Sequence, residues 1–173
     1  MFPLTFLRAQ LHDAPALADL VNSAYRGEAS RLGWTTEADL LDGKRTDAEE
    51  LTAALTDPAV LIVAGFEADR LVACVQVRLA DREAQIGMLT VDPARQNRGV
   101  GRRLLGAAED LAARTWAIER FAMFVIPRRA ELLAYYQRRG YRRTGVLLPF
   151  PENPMLWQPK VTDLSLERLE KPV

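Results

Sequence analysis

The run Gln96-Asn97-Arg98-Gly99-Val100-Gly101-Arg102 joins an apolar segment that ends at Asp92-Pro93 to a long amphipathic one. Its chemistry is that of an anion cradle. A helix opening there presents unpaired N–H groups and the positive end of its dipole. Glycines at 99 and 101 let a phosphate approach that backbone closely. Arg98 and Arg102 add forked, permanently charged donors. The run therefore reads as a seat for a diphosphate. It is not a Walker loop, which needs Gly-Lys-Ser/Thr, and Leu104 stands where a dinucleotide fingerprint needs its third glycine.

Periodicity supplies the elements that must hold this loop. Residues 4–10 read as a short strand. Asp13 is placed to cap a helix that puts Ala16, Leu17, Leu20, Val21 and Ala24 on one face. Thr36 to Asp39 and Thr46 to Glu49 have capping-box spacing, which predicts two short helices with Gly43 between them. Residues 60–66, 71–79 and 84–91 are three strands, and turns at 67–70 and 80–83 connect them as a meander. The helix after Gly99 aligns Val100, Leu104, Ala108, Leu111 and Thr115. A strand at 120–126 precedes a helix over 129–139 that Gly140 closes as a left-handed cap. Residues 141–147 and 161–170 are strands. Between them, 148–159 carries four prolines and reads as irregular. The order predicts a single mixed α/β (α+β) domain over 1–173. The middle turns are too short for crossover helices, which argues against a doubly wound nucleotide fold.

Composition bounds the function. The chain of 173 residues is 49% hydrophobic, with a formal net charge of zero. That balance argues against a general nucleic-acid or anionic-membrane binder. Cys74 is the sole cysteine, so neither an intrachain disulfide nor a cysteine metal site can form. His12, the sole histidine, directly precedes the Asp13 cap and reads as a surface or N-terminal packing residue. The N-terminus lacks the pattern of a secretion signal, and no apolar run approaches the roughly 18 residues of a membrane span. A cytoplasmic location follows by default.

The stretch MLTVDPARQNRGVGRRLL, with Gln96-x-x-Gly99-x-Gly101, resembles the central motif of the GNAT superfamily of N-acetyltransferases. A second block, Tyr135-Tyr136-x-x-x-Gly140-Tyr141, resembles that family's Phe-Tyr-x-x-x-Gly-Phe and follows in the right order. The resemblance implies a mostly antiparallel sheet of six to seven strands flanked by helices. It is splayed between 84–91 and 120–126, with Gly87 and Asp92-Pro93 as places for the distortion. It implies acetyl-CoA as co-substrate and no metal. The loop from Gln96 and Asn97 to Arg102 would hold its diphosphate. The backbone of Leu89, Thr90 and Val91 would pair with its pantetheine arm, and the Leu89 N–H would face the thioester carbonyl. Tyr136 stands where the family places the proton donor to the departing thiolate, leaving Tyr135 for the core. Arg138 either reaches the ribose phosphate or is solvated.

On the acceptor side the same resemblance points to the primary amine of a small molecule. A protein N-terminus or lysine, or a non-catalytic acyl-CoA sensor, are the alternatives. The position that carries a glutamate in some members is Gln85 here, and an amide takes no proton at neutral pH. Arg129 stands where many members have asparagine. Trp34, Glu37 and Asp39 are the acceptor-wall candidates. Glu37 is favoured as base or cation attractor and Asp42 lies nearby. Phe150 and Trp157 either line the acceptor pocket or pack at a contact between subunits, a homodimer being the commonest assembly.

Overall fold

The computed structural model describes residues 3–173. β1 (Leu4–Arg8) leads through a single 3-10 turn into α1 (Ala14–Tyr25). After it come β2 (Leu41–Gly43), α2 (Ala48–Thr56) and the meander β3 (Val60–Glu67), β4 (Arg70–Ala80) and β5 (Glu83–Val91). α3 (Val100–Thr115), β6 (Arg120–Val125) and α4 (Ala130–Gln137) follow, then β7 (Arg142–Pro149), β8 (Trp157–Pro159) and β9 (Ser165–Pro172). Seven strands form one sheet in the order β1-β3-β4-β5-β6-β9-β7, while β2 and β8 pair separately. Every pairing in the large sheet is antiparallel except β5 with β6, whose connection contains α3. Among the described residues no helix is long and apolar enough to cross a membrane.

The period-two pattern of the central strands builds a core on each face. Val75 and Val77 of β4 pack toward α3 with Leu104, Leu105 and Ala108. Cys74, which precedes Val75, packs toward α1 with Leu17 and Val21, and Ile62 and Ala64 of β3 join it there. Burial pushes the Cys74 thiol up to about 12.

Two features of β5 open the sheet. First, its pairing with β6 stops at Ile86 opposite Met123, so the C-terminal half of β5 has no strand on that side. Second, Gln76 opposes Gly87 and Cys74 opposes Thr90, so Met88 and Leu89 together face Val75. This is a β-bulge, with Met88 in left-handed conformation at φ 56°. The extra residue shifts the alternation. Ile86 and Leu89, three apart, share the α3 face, while Met88 turns to the α1 face. The Thr90 hydroxyl donates to the Met88 carbonyl at 2.9 Å and ties the bulge to the following residue. The distortion thus centres on Met88, next to the expected Gly87 and four residues before Asp92.

The first of the two short helices predicted around Gly43 does not form. The Thr36 hydroxyl accepts from the Ala38 N–H at 3.1 Å and pairs with the Ser30 hydroxyl at 2.6 Å, and one turn closes from Leu41 N–H to the Glu37 carbonyl. The chain then extends as β2 against β8. A Cβ at Gly43 would stand 2.2 Å from the Leu156 carbonyl oxygen, so this contact requires glycine. The second helix, α2, is capped by Asp47, which accepts from the Glu50 N–H at 2.8 Å, one residue later than the Thr46 pattern suggested. Asp13 does not cap α1 through its side chain; it accepts instead from the Gln10 N–H at 2.8 Å and closes the 3-10 turn. The 148–159 segment holds more order than its prolines implied, because β7 runs to Pro149 and β8 pairs with β2.

Candidate active site

α3 begins without a side-chain cap, behind Asn97 at φ 62° and Gly99 at φ 75°. The first helical bond runs from the Arg103 N–H to the Gly99 carbonyl. The N–H groups of residues 96–102 find no acceptor among the described residues, and Arg102 and Arg103 lie in the uncapped turn. Unpaired amides and a helix dipole meet there with Arg102, which fits a diphosphate, while Arg103 turns away to the Leu4 carbonyl and the Phe6 ring. A cleft of about 530 Å3 opens beside it, bounded by Asn97, Gly99 and Gly101 on one side and Leu89 and Val91 on another. Arg139 lies on the opposite wall with its buried Nε unpartnered, and its guanidinium stacks 3.3 Å over the Tyr135 ring. That orphaned donor is a further sign that the cleft is shaped for an anionic ligand.

Gln96 has a different task from the one the motif suggested. Its side-chain oxygen accepts from the Trp34 N–H at 2.9 Å, and its amide donates to Thr35 Oγ1 at 3.0 Å and the Val91 carbonyl at 3.1 Å. It locks the 34–35 loop to the end of β5. Gly33 makes room for it, since a Cβ there would fall 2.6 Å from the Gln96 oxygen. Trp34, expected on the acceptor wall, lines the donor-side cleft instead and packs on Tyr135 at 5.4 Å. Arg98 is exposed outside the cleft wall, and Thr90 is buried beneath it.

A second cavity of about 260 Å3 lies on the other side of the split strands, and it shares Leu89, Leu132 and Tyr136 with the first. Tyr136 is buried, and its ring packs edge-on against Tyr135 at 5.3 Å and Tyr141 at 6.1 Å. It lines both cavities, and no hydrogen bond to its hydroxyl forms among the described residues. Burial, then the neighbouring phenols of Tyr25 and Tyr135, hold it well above the usual tyrosine range despite Arg129 and Arg139. It is therefore a protonated donor at any ordinary pH. α4 fixes its height: the Tyr141 N–H bonds back to the Tyr136 carbonyl around Gly140 at φ 91°, the cap read from the sequence. Tyr135 is not a core residue; it is half-buried in the donor-side cleft, and the core position belongs to Tyr141.

The second cavity is walled by Tyr25, Arg26 and Glu37, by Arg45 and Arg129, and by Phe150 and Trp157 from the proline-rich segment. Glu37 reaches it but is committed. Arg26 holds its Oε2 at 3.2 Å and Arg129 its Oε1 at 3.1 Å, and all three side chains are nearly buried. Arg129 also donates to the Thr35 carbonyl at 2.6 Å. Asp39 lies outside both cavities in a surface ion pair with Arg31 at 2.8 Å, and Asp42 is exposed 3.7 Å from Lys160. The acidic wall expected to draw a cationic amine is therefore not assembled. Gln85 bonds to Glu83 at 2.8 Å and touches neither cavity. Tyr25, Arg26 and Arg45 were not anticipated. Tyr25 lies one turn beyond Val21 on the apolar face of α1, but nothing in the sequence aims that helix end at the gap in the sheet.

With a bulged, one-sided strand beside an uncapped helix, the class follows. Residues 16–141 match the model of the acetyltransferase (GNAT) family, and the chain belongs to that family. It is 33% identical over 90 residues to the mycothiol acetyltransferase of Clavibacter michiganensis, a match covering 52% of this chain and 29% of that protein. The chain thus spans under a third of that relative's length. The fold is that of the PaiA N-acetyltransferase of Thermoplasma acidophilum solved with coenzyme A (TM-score 0.70, 15% identity, 99% of both chains). It also matches the ribosomal-protein-S18-alanine N-acetyltransferase of Escherichia coli (TM-score 0.72, 14% identity, 99% of this chain and 94% of that one).

Proposed function

We propose that this protein is an acetyl-CoA-dependent N-acetyltransferase that acts on the primary amine of a small molecule by direct attack on the thioester. The observation that carries this reading is the meeting of two cavities at Leu89 and Tyr136, one beside the anion loop and one roofed by Phe150 and Trp157. The Thermoplasma relative was solved with coenzyme A, which supports the choice of donor.

The residues present fit that donor. The amides of Asn97 to Arg102 would hold the diphosphate, and the unpaired edge of β5 at Leu89 to Val91 would receive the pantetheine arm. The bound thioester supplies an acyl carbon that an amine attacks with loss of the thiolate. Leu89 stands outside the β4–β5 register, so its N–H serves as the donor to charge developing on the carbonyl oxygen. Tyr136 gives its proton to the departing sulfur. Glu37 is held by two guanidiniums and is not the base. The amine loses its proton to water in the open cavity, so its neutral fraction sets the rate. The size of the second cavity, about 260 Å3, favours a small acceptor over a polypeptide. Incubation with acetyl-CoA and an amine panel, read as free thiol released, tests the proposal. Binding of coenzyme A without thiol release on any amine identifies a sensor module instead.

A further inference from the structure

The acceptor-side cavity has the charge of an anion site. Arg26, Arg45 and Arg129 line it, and Glu37 is the one carboxylate among its lining residues. That carboxylate is fully engaged by Arg26 and Arg129. Arg45 is half-buried, and its guanidinium has neither an ion pair nor a hydrogen-bond acceptor among the described residues. Its backbone is fixed, the N–H donating to Asn22 Oδ1 at 2.7 Å. Arg26 is 5% exposed, and its Nε is buried with no partner. Burial and the nearby Arg45 both lower its affinity for its own proton. Arg26 and Arg129 share the one carboxylate, so the unpaired Arg45 leaves the cavity with net positive charge that a bound anion would complete. Arg26 gives its terminal nitrogens to the Lys44 carbonyl and Glu37, so the free planar fork beside the cavity is that of Arg45, which suits a carboxylate or another oxyanion.

We infer that the acceptor is an amine carrying an oxyanion, a carboxylate or a phosphonate, held by Arg45 with Arg26 behind it while its amine points toward Leu89 and Tyr136. An α-amino acid has that chemistry. The inference rests on the acetyltransferase reading above and adds the substrate class. It also reverses the expectation from the acidic segment, since a polyamine would meet like charge here.

The test is a panel of matched acceptors: α-amino acids, aminoalkylphosphonates, and the corresponding amides and decarboxylated amines, each assayed for thiol release. The expected result is a kcat/KM at least about ten-fold higher for the oxyanion-bearing members, with the preferred arm naming the anion. Equal or better use of the neutral amines overturns the inference and leaves the acetyltransferase reading standing. In Arg45→Gln the ratio of charged to neutral acceptors collapses toward one, mainly through KM, and Arg45→Lys retains part of it. An unchanged ratio in Arg45→Gln overturns the role of Arg45. If no amine releases thiol, the acetyltransferase reading fails separately. Calorimetry with N-acetyl amino acids and coenzyme A then decides the site: binding by wild type that is lost in Arg45→Gln supports it, and absence of binding by wild type overturns it.

Discussion

The Tyr25 hydroxyl donates to the Leu89 carbonyl oxygen at 2.5 Å, joining the last residue of α1 to the bulge in β5 across 64 positions of sequence. The bulge is where β5 breaks register with β4, and this bond holds its outer residue. Tyr25 is buried, and that burial raises its hydroxyl to about 12, so it remains a donor.

Tyr25→Phe strands the buried Leu89 carbonyl. We expect a loss of about 1–3 kcal/mol in stability, read as a lower denaturant midpoint. Turnover should fall together with stability, because Leu89 loses its anchor while Tyr136 is untouched.

Tyr136→Phe removes the proposed proton donor and keeps the ring packing. Turnover should drop by about 10²–10⁴, with coenzyme A affinity by calorimetry nearly unchanged. A variant with wild-type turnover under conditions where chemistry limits the rate would remove Tyr136 from the reaction.

Two glycines of α3 should part company. A Cβ at Gly101 would stand 2.8 Å from the Tyr135 hydroxyl, at the floor of the anion cleft. Gly101→Ala should weaken coenzyme A binding by about ten-fold, or ~1.4 kcal/mol. At Gly106 a Cβ meets nothing within 4 Å. Gly106→Ala should therefore stabilise the fold by ~1 kcal/mol with unchanged binding.

Glu37→Gln separates a base from a structural carboxylate. As the partner of two buried guanidiniums its loss should cost ~3 kcal/mol, read in thermal or denaturant melts. The pH profile of kcat/KM should keep its shape, rising about ten-fold per pH unit toward the acceptor amine's own pKa. Disappearance of an acidic limb in the variant would restore Glu37 as the base.

Acid should loosen the far half of the sheet first. Arg168 binds Glu83 through both terminal nitrogens, and this hydrogen bonding holds the carboxyl below its ordinary 4.5. Arg143 does the same for Glu167. A depressed folded value means that the stabilisation is present above about pH 4.5 and lost as pH falls through the lower folded values. Arg168→Met should flatten that acid limb in a stability-against-pH series.

Much of the fold was legible because its signals are local. The apolar runs and short turns from Val60 to Val91, the amphipathic run after Gly99 and the glycine cap at 140 each depend on neighbours close in sequence. The anion loop was legible for the same reason: a helix N-terminus with glycines and arginines is defined by adjacent residues. The helix predicted after Thr36 failed because β8, more than a hundred residues away, pairs with Leu41–Gly43 and offers those residues a ladder instead.

By itself, then, the sequence determined most of the order of strands and helices, and it marked the loop at 96–102 and the phenol at 136 on which the proposed function rests, all of them properties of short segments. Only the tertiary structure decided the bulge at Met88, because Val75 and the Tyr25 hydroxyl, both far along the chain, define it. It likewise decided the charge of the acceptor cavity. Glu37 reads as a free carboxylate until Arg26 and Arg129 are brought to its two oxygens, and Arg45 reads as a surface residue until folding leaves it unpaired beside them. The net field of a pocket is a sum over elements that only packing brings together, so no stretch of sequence carries its sign.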